Sequence, residues 1–171
     1  MGSTQRHSKT GNRFVAQSIQ IAALCLFAAT AAEAQSSNAS PHCRPVGGTV
    51  MTNFVDSNTT LGSATGDLEG AVSATLLGVT PAADGTTVFS VQHHWTTDTG
   101  DSIFFEVAQA SALPVAPGLF AIVSYPVTIT GGTGKFAGAA GTVENIGEVD
   151  LNALHTVFRY QGDVCFQTPL R

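Results

Sequence analysis

Charge is what this chain is short of. Only 11% of its 171 residues are Asp, Glu, Lys or Arg, and just seven are basic. Three of the seven, Arg6, Lys9 and Arg13, fall within the first thirteen residues. Beyond residue 34, Arg44, Lys135, Arg159 and Arg171 stand alone against eleven acids. Four scattered cations build no basic patch, which makes nucleic acid and anionic membrane surfaces poor partners. Long apolar runs are missing as well, and none reaches the roughly 20 residues that a membrane-crossing helix needs. His-x-His, Cys-x-x-Cys and His-Glu-x-x-His spacings are absent, so no metal site is expected. A Gly-x-Ser-x-Gly turn is absent too, which removes the usual setting of a hydrolase serine. No cofactor is expected.

What is present begins with a leader. Arg6, Lys9 and Arg13 precede an apolar core from Ile21 to Ala31, and Ala32-Glu33-Ala34 fits small-x-small cleavage before Gln35. Residues 1–34 therefore read as a secretory signal peptide, and the product as secreted or periplasmic. Lipid attachment at Cys25 is disfavoured by the bulky Leu24 before it. Residues 35–45, rich in Ser, Asn and Pro, read as a polar tether, and 46–171 as one domain. Cys43 and Cys165 are the cysteines left after cleavage. Compartment and even count favour one disulfide between them. The alternative is a pair of buried thiols.

From Val46 onward the pattern is β. Turn signals recur every 8–14 residues or so, and helical periodicity is missing. Strands are expected at 46–55, 65–79, 86–97, 101–110, 119–130, 142–151 and 153–166, with the second broken at Gly70 to make eight. Ala83-Asp84-Gly85 and Asp98-Thr99-Gly100 read as hairpin turns. Leu113-Pro114 to Pro117-Gly118 reads as a longer loop. The fold class is all-β: a closed antiparallel barrel of about eight strands. A barrel of that size is filled by its own side chains or holds one small ligand. Ala74, Gly78, Ala108, Ala121, Ser124 and Gly147 are small enough to leave a void if they point inward.

Alternation along each strand assigns the faces. Phe89, Val91, His93 and Trp95 share an inward face, while His94 points out. Ile103, Phe105 and Val107 oppose Phe104 and Glu106. Leu154, Thr156, Phe158, Tyr160 and Val164 form the apolar face of the closing strand. His93 beside Trp95 is the first candidate for acid–base chemistry, since imidazole titrates near neutrality. A core histidine with an ordinary partner is the competing reading, and the commoner one. Glu106 is the second candidate. On an interior face it would be a desolvated acid suited to proton transfer, and on the outside a solvated carboxylate. Tyr125, Asn145 and Tyr160, with Trp95, could each orient a ligand in an apolar cavity or simply pack.

The stretch Ile129-Thr-Gly-Gly-Thr-Gly-Lys-Phe-Ala-Gly-Ala-Ala-Gly-Thr142 places glycines at 131, 132, 134, 138 and 141 between two strands. It reads as a sharp reversal with Phe136 as its plug. Phe136 follows Lys135 where a phosphate loop requires Ser or Thr, and no helix follows, so a nucleotide site is not expected. The signature at Gly132, Gly134, Phe136, Gly138 and Gly141 resembles the turn shared by dirigent proteins and the allene oxide cyclase-like barrels. The likeness covers about 64–166 and includes Phe158-Arg-Tyr-Gln-Gly162. It implies an eight-stranded barrel of the calycin type, assembled as dimers or trimers. It also implies a reactive apolar small molecule whose cofactor-free cyclisation or coupling is steered by shape. The match lies on a structural turn, and no position here equates with those families' catalytic acids. Three roles follow: a cofactor-free isomerase or cyclase, a small-ligand carrier, and a solidly packed surface barrel.

Overall fold

The computed structural model describes residues 42–167. The leader at 1–34 and the tether as far as residue 41 lie outside the described residues. Ten strands follow one another: β1 (His42–Phe54), β2 (Thr59–Gly66), β3 (Gly70–Pro81), β4 (Thr87–Thr97), β5 (Ser102–Phe105), β6 (Ala108–Ala116), β7 (Leu119–Ser124), β8 (Pro126–Gly132), β9 (Ala140–Asp150) and β10 (His155–Phe166). All their pairings are antiparallel.

The ten strands make eight staves. β4 pairs with β5 near one end and with β6 near the other, so β5 and β6 are one stave with a break. β9 pairs in the same way with β7 and with β8. β10 then pairs with both β9 and β1, which closes the cylinder. A closed ladder leaves no free edge to aggregate.

The two breaks set which residues point inward. Ile103 and Phe105 are buried on β5, yet Ala108, Ala110 and Ala112 are the buried residues of β6. The inward face passes from odd to even numbers across Glu106–Val107. Strict alternation put Val107 on the face of Ile103 and Phe105; both of those are buried, but Val107 is 46% exposed. On the neighbouring stave Ile122 is buried before the break, and Tyr125, Val127 and Ile129 after it. Both staves change phase between the pairings Phe105↔Ile129 and Ser111↔Ser124, a gap into which Glu106 N–H donates to Thr128 O at 3.1 Å. A local extra residue of this kind is how a sheet bends into a barrel.

Other differences from the sequence reading are local. β1 begins at His42, ahead of the expected start at Val46, because it runs on against β10 as far as Phe166. β2 begins at Thr59, within a stretch read as a connection. The break at Gly70 stands as expected. The expected loop from Leu113 shrinks to the turn at Pro117–Gly118, since β6 continues to Ala116. Pro114 is tolerated there because β4 accompanies β6 only as far as Ala112, leaving one edge unpaired. Leu154 was placed on the apolar face of the closing strand. It lies in the turn before β10, at φ 56°, and is exposed.

The glycine-rich segment closes the base of the cylinder. A 3-10 turn at Gly134–Phe136 carries Phe136 inward, where it is 2% exposed and 5.9 Å from the Phe166 ring. Gly134 has φ +50°, and a Cβ there would fall on the Asp101 carboxylate. Lys135 N donates to that carboxylate at 3.3 Å, so the turn is laced to the β4–β5 hairpin. Cys43 and Cys165 are directly opposite in the β1–β10 ladder and form a disulfide.

That bond closes a loop of 122 residues, for which chain entropy gives stabilisation of about 4–5 kcal/mol. Reduction, or Cys43→Ser with Cys165→Ser, is expected to lower Tm by roughly 10–20 °C, measured by circular dichroism. A shift within 2 °C would show that the ladder alone holds the seam.

Candidate functional site

The barrel is hollow. Its cavity has a volume of about 460 Å³. The void has a sequence origin: Ala110 of β6 and Ala74 of β3 line it with no more than a methyl group, and Ala108 and Ala112, buried on the same stave as Ala110, are equally small. Of the small residues considered from sequence, Ser124 is exposed, and Gly78 sits at a bulge beside open space.

A floor of larger groups closes the cavity towards the base. Leu68, in the turn between β2 and β3, is held by both its backbone groups. Its N–H donates to Tyr160 Oη at 2.9 Å, and its carbonyl accepts from Trp95 Nε1 at 2.8 Å. Tyr160 Oη donates in turn to Thr65 O at 3.0 Å. The Tyr160 ring lies across Gly48, where any Cβ would meet it. Trp95 and Tyr160 pack edge to face, with centroids 5.8 Å apart. Tyr160 is thus not a ligand-orienting group. Its hydroxyl is committed to the floor, and it does not line the cavity. Burial raises its pKa above the ordinary phenol value. Trp95 lines the cavity with its ring while its N–H is spent.

Towards the other end the cavity meets the turns joining β1 to β2 and β3 to β4. Val79 and Leu151 line it and are also largely exposed, so it reaches the surface there. The acids at this end are turned to their own loops. Asp56 accepts from Asn58 and Thr59, Asp84 from Thr86, and Asp150 from Asn152 and Ala153. These bonds hold all three carboxyls below their ordinary pKa.

Among the described residues, no Asp, Glu, Lys or Arg lines the cavity. Of the two faces open to Glu106 from sequence, the structure takes the outer one. Glu106 is exposed at the break between β5 and β6 and points to solvent with its neighbour Val107. It belongs to no interior site. His93 and Tyr125 are brought together instead. Tyr125 Oη and His93 Nε2 are 2.8 Å apart on the cavity wall. Their rings lie 5.6 Å apart, and Phe105 and Phe158 pack against the pair. His93 Nδ1 is buried and without a partner among the described residues. Burial lowers the His93 pKa to about 4, with a lesser contribution from His94. Burial also pushes the Tyr125 phenol well up. Both groups are therefore neutral near pH 7. His94 points outward, so the adjacent histidines do not converge.

Asn145 also lines the cavity. Its Nδ2 donates to Tyr125 O at 3.1 Å and to Val143 O at 3.4 Å, which uses both amide hydrogens and leaves Oδ1 without a partner among the described residues. Thr52 and Thr156, which sequence reading did not single out, face each other across the β1–β10 seam with hydroxyls 2.8 Å apart. Period-2 alternation placed Thr156 inward but gave no sign of its partner. Leu68 went unnoticed because a leucine in a turn carries no chemical signal.

Two solved structures of pterocarpan synthase dirigent proteins are similar to this chain. One is 15% identical with a TM-score of 0.33, covering 75% of this chain and 90% of its own. The other is 16% identical with a TM-score of 0.30, covering 72% and 94%. The likeness is one of fold, and the closed barrel rests on the strand registers themselves. No family model and no curated protein matches the chain.

His93 gives the site a pH signature. In the unfolded chain it takes up a proton near pH 6.5, and in the folded barrel only near 4. Between those values the unfolded state binds more protons, so stability is full above pH 6.5 and falls as pH drops towards 4. The expected loss is on the order of 3 kcal/mol. Denaturant titrations across this window should show it, and His93→Gln should flatten the profile. An equally steep profile in the variant would contradict the burial of this imidazole.

Proposed function

We propose that the protein holds one apolar, uncharged small molecule inside the barrel. The observation that carries this reading is a cavity of about 460 Å³ with no Asp, Glu, Lys or Arg among the described residues of its wall. That volume lies within the range of pockets that enclose small organic ligands. An ionised guest would be stripped of water without a counter-charge, a cost that excludes it. The solidly packed barrel is disfavoured by the void. Export to the periplasm or the outside is part of the proposal, supported by the Cys43–Cys165 disulfide and the leader-like residues 1–34. Assembly as a homodimer or homotrimer, implied by the family resemblance, finds support in exposed Met51, Val123 and Ile146 on the outer face.

Steering of a cofactor-free cyclisation or isomerisation is a second reading, favoured by one observation. The neutral His93–Tyr125 pair stands on the wall of an otherwise greasy chamber. Such a pair can polarise an oxygen of the guest while the barrel excludes water and fixes its shape. Without Glu106 in the interior, any acid–base work falls to this pair.

The expected outcome for pyrene against the wild-type barrel is saturable one-to-one binding, measured by fluorescence titration. Pyrenecarboxylate should bind at least a hundredfold more weakly. Ala110→Phe fills the void and should weaken pyrene binding at least tenfold with Tm nearly unchanged. Glu106→Gln should bind as wild type. Equal binding of pyrene and its carboxylate, or indifference to Ala110→Phe, would contradict an interior site.

A further inference from the structure

The His93–Tyr125 pair holds a hydrogen that the protein leaves without an acceptor. A neutral imidazole carries one N–H, on either Nε2 or Nδ1. Nε2 faces Tyr125 Oη at 2.8 Å, whereas buried Nδ1 faces no polar group among the described residues. A proton on Nδ1 would be a buried donor without an acceptor, the rarest kind of unsatisfied group. A proton on Nε2 donates to the phenol oxygen and leaves only a lone pair unmet. It is also the tautomer that imidazole side chains favour intrinsically. The phenol oxygen then accepts from His93, and its own hydrogen remains to be given.

Tyr125 is 4% exposed, and His93 is the single hydrogen-bond partner of its hydroxyl among the described residues. The side chain lines the cavity. Buried hydroxyls seldom go unsatisfied, so the acceptor has to come from what fills the chamber. Asn145 Oδ1, on the stave beside Tyr125, is an acceptor and cannot be approached by another lone pair without a hydrogen between them.

We propose that the guest carries a neutral oxygen acceptor, of the ketone, aldehyde or ester class, seated against the Tyr125 hydroxyl deep in the cavity, with its hydrocarbon body extending towards the open end. This rests on the reading of the cavity as a ligand site and adds to it the guest's one polar function. His93 acts as a positioning residue: it holds the phenol oxygen as an acceptor and turns the phenol hydrogen to the guest. The apolar mouth, with Phe89 and Phe120 edge to face at 5.4 Å, suits the body of such a molecule.

The experiment pairs two neutral ligands of equal size, an acylnaphthalene ketone and the matching alkylnaphthalene, against the wild type and Tyr125→Phe. Loss of one hydrogen bond should weaken the ketone roughly three- to tenfold and leave the hydrocarbon unchanged. The carbonyl stretch of the bound ketone in the wild type should lie below its value in hydrocarbon solvent, a measurement that does not depend on the variant's folding. Imidazole ¹⁵N resonances at pH 7 should place the His93 proton on Nε2. Failure of either naphthalene to bind the wild type would overturn the reading of the cavity and this proposal with it. Binding of both, with an unshifted carbonyl or an unchanged ketone-to-hydrocarbon ratio in Tyr125→Phe, would overturn the hydrogen bond alone. A proton found on Nδ1 would overturn the role given to His93.

Discussion

Closure of one antiparallel ladder on itself is the constraint from which the rest of this molecule follows. Once β10 pairs with β1, every side chain is either inside or outside. The charged residues go outside because an unpaired buried charge costs several kcal/mol. The interior is left with apolar groups and a handful of neutral polar ones. Even the phase changes at Glu106–Val107 and Ser124–Tyr125 obey this rule, since both fall in the gap between the pairings Phe105↔Ile129 and Ser111↔Ser124.

A closed cylinder of eight staves could have been filled. It is hollow because size is distributed unevenly along it. The base gathers Phe136, Phe166, Ile103, Ile129 and Val164, and the floor above them is tied through Leu68 by Trp95 and Tyr160. Midway, three alanines on one stave contribute almost no volume. The glycines of the base have the opposite use. They let loops and rings come close enough to seal that end, as at Gly48 beneath Tyr160. The outcome is a cup with one sealed end and one accessible end, mostly apolar on its wall with a few neutral polar groups.

Much of this could be read from the amino acids alone. The barrel, the reversal plugged by Phe136 and the inward direction of His93 and Trp95 follow from alternation and turn chemistry, and the pairing of Cys43 with Cys165 from compartment and even count. What escaped reading has a common cause. Alternation is counted forward from a known position, so an extra residue reverses every later assignment until the next one. Glu106 and Val107 stand at such a point. Nothing in Phe105-Glu106-Val107-Ala108 marks the slip, because it is set by how two staves bend together. Tyr125 and Tyr160 looked equivalent for a similar reason. Which hydroxyl meets the floor and which meets the cavity depends on Leu68 and His93, residues far away in sequence and adjacent only after closure. Pairs such as Thr52 and Thr156 are set by a register that sequence spacing does not encode.

The central claim is an accessible, uncharged chamber above a tryptophan floor, and Trp95 is the sole tryptophan of the chain. Its fluorescence can therefore report directly on occupancy, using a brominated alkane as a quencher that acts only at contact. The account predicts strong, saturable, one-to-one quenching of Trp95. Quenching that rises only linearly with the alkane, or tryptophan emission untouched at saturation, would mean that no guest reaches the floor and that the barrel is not a container.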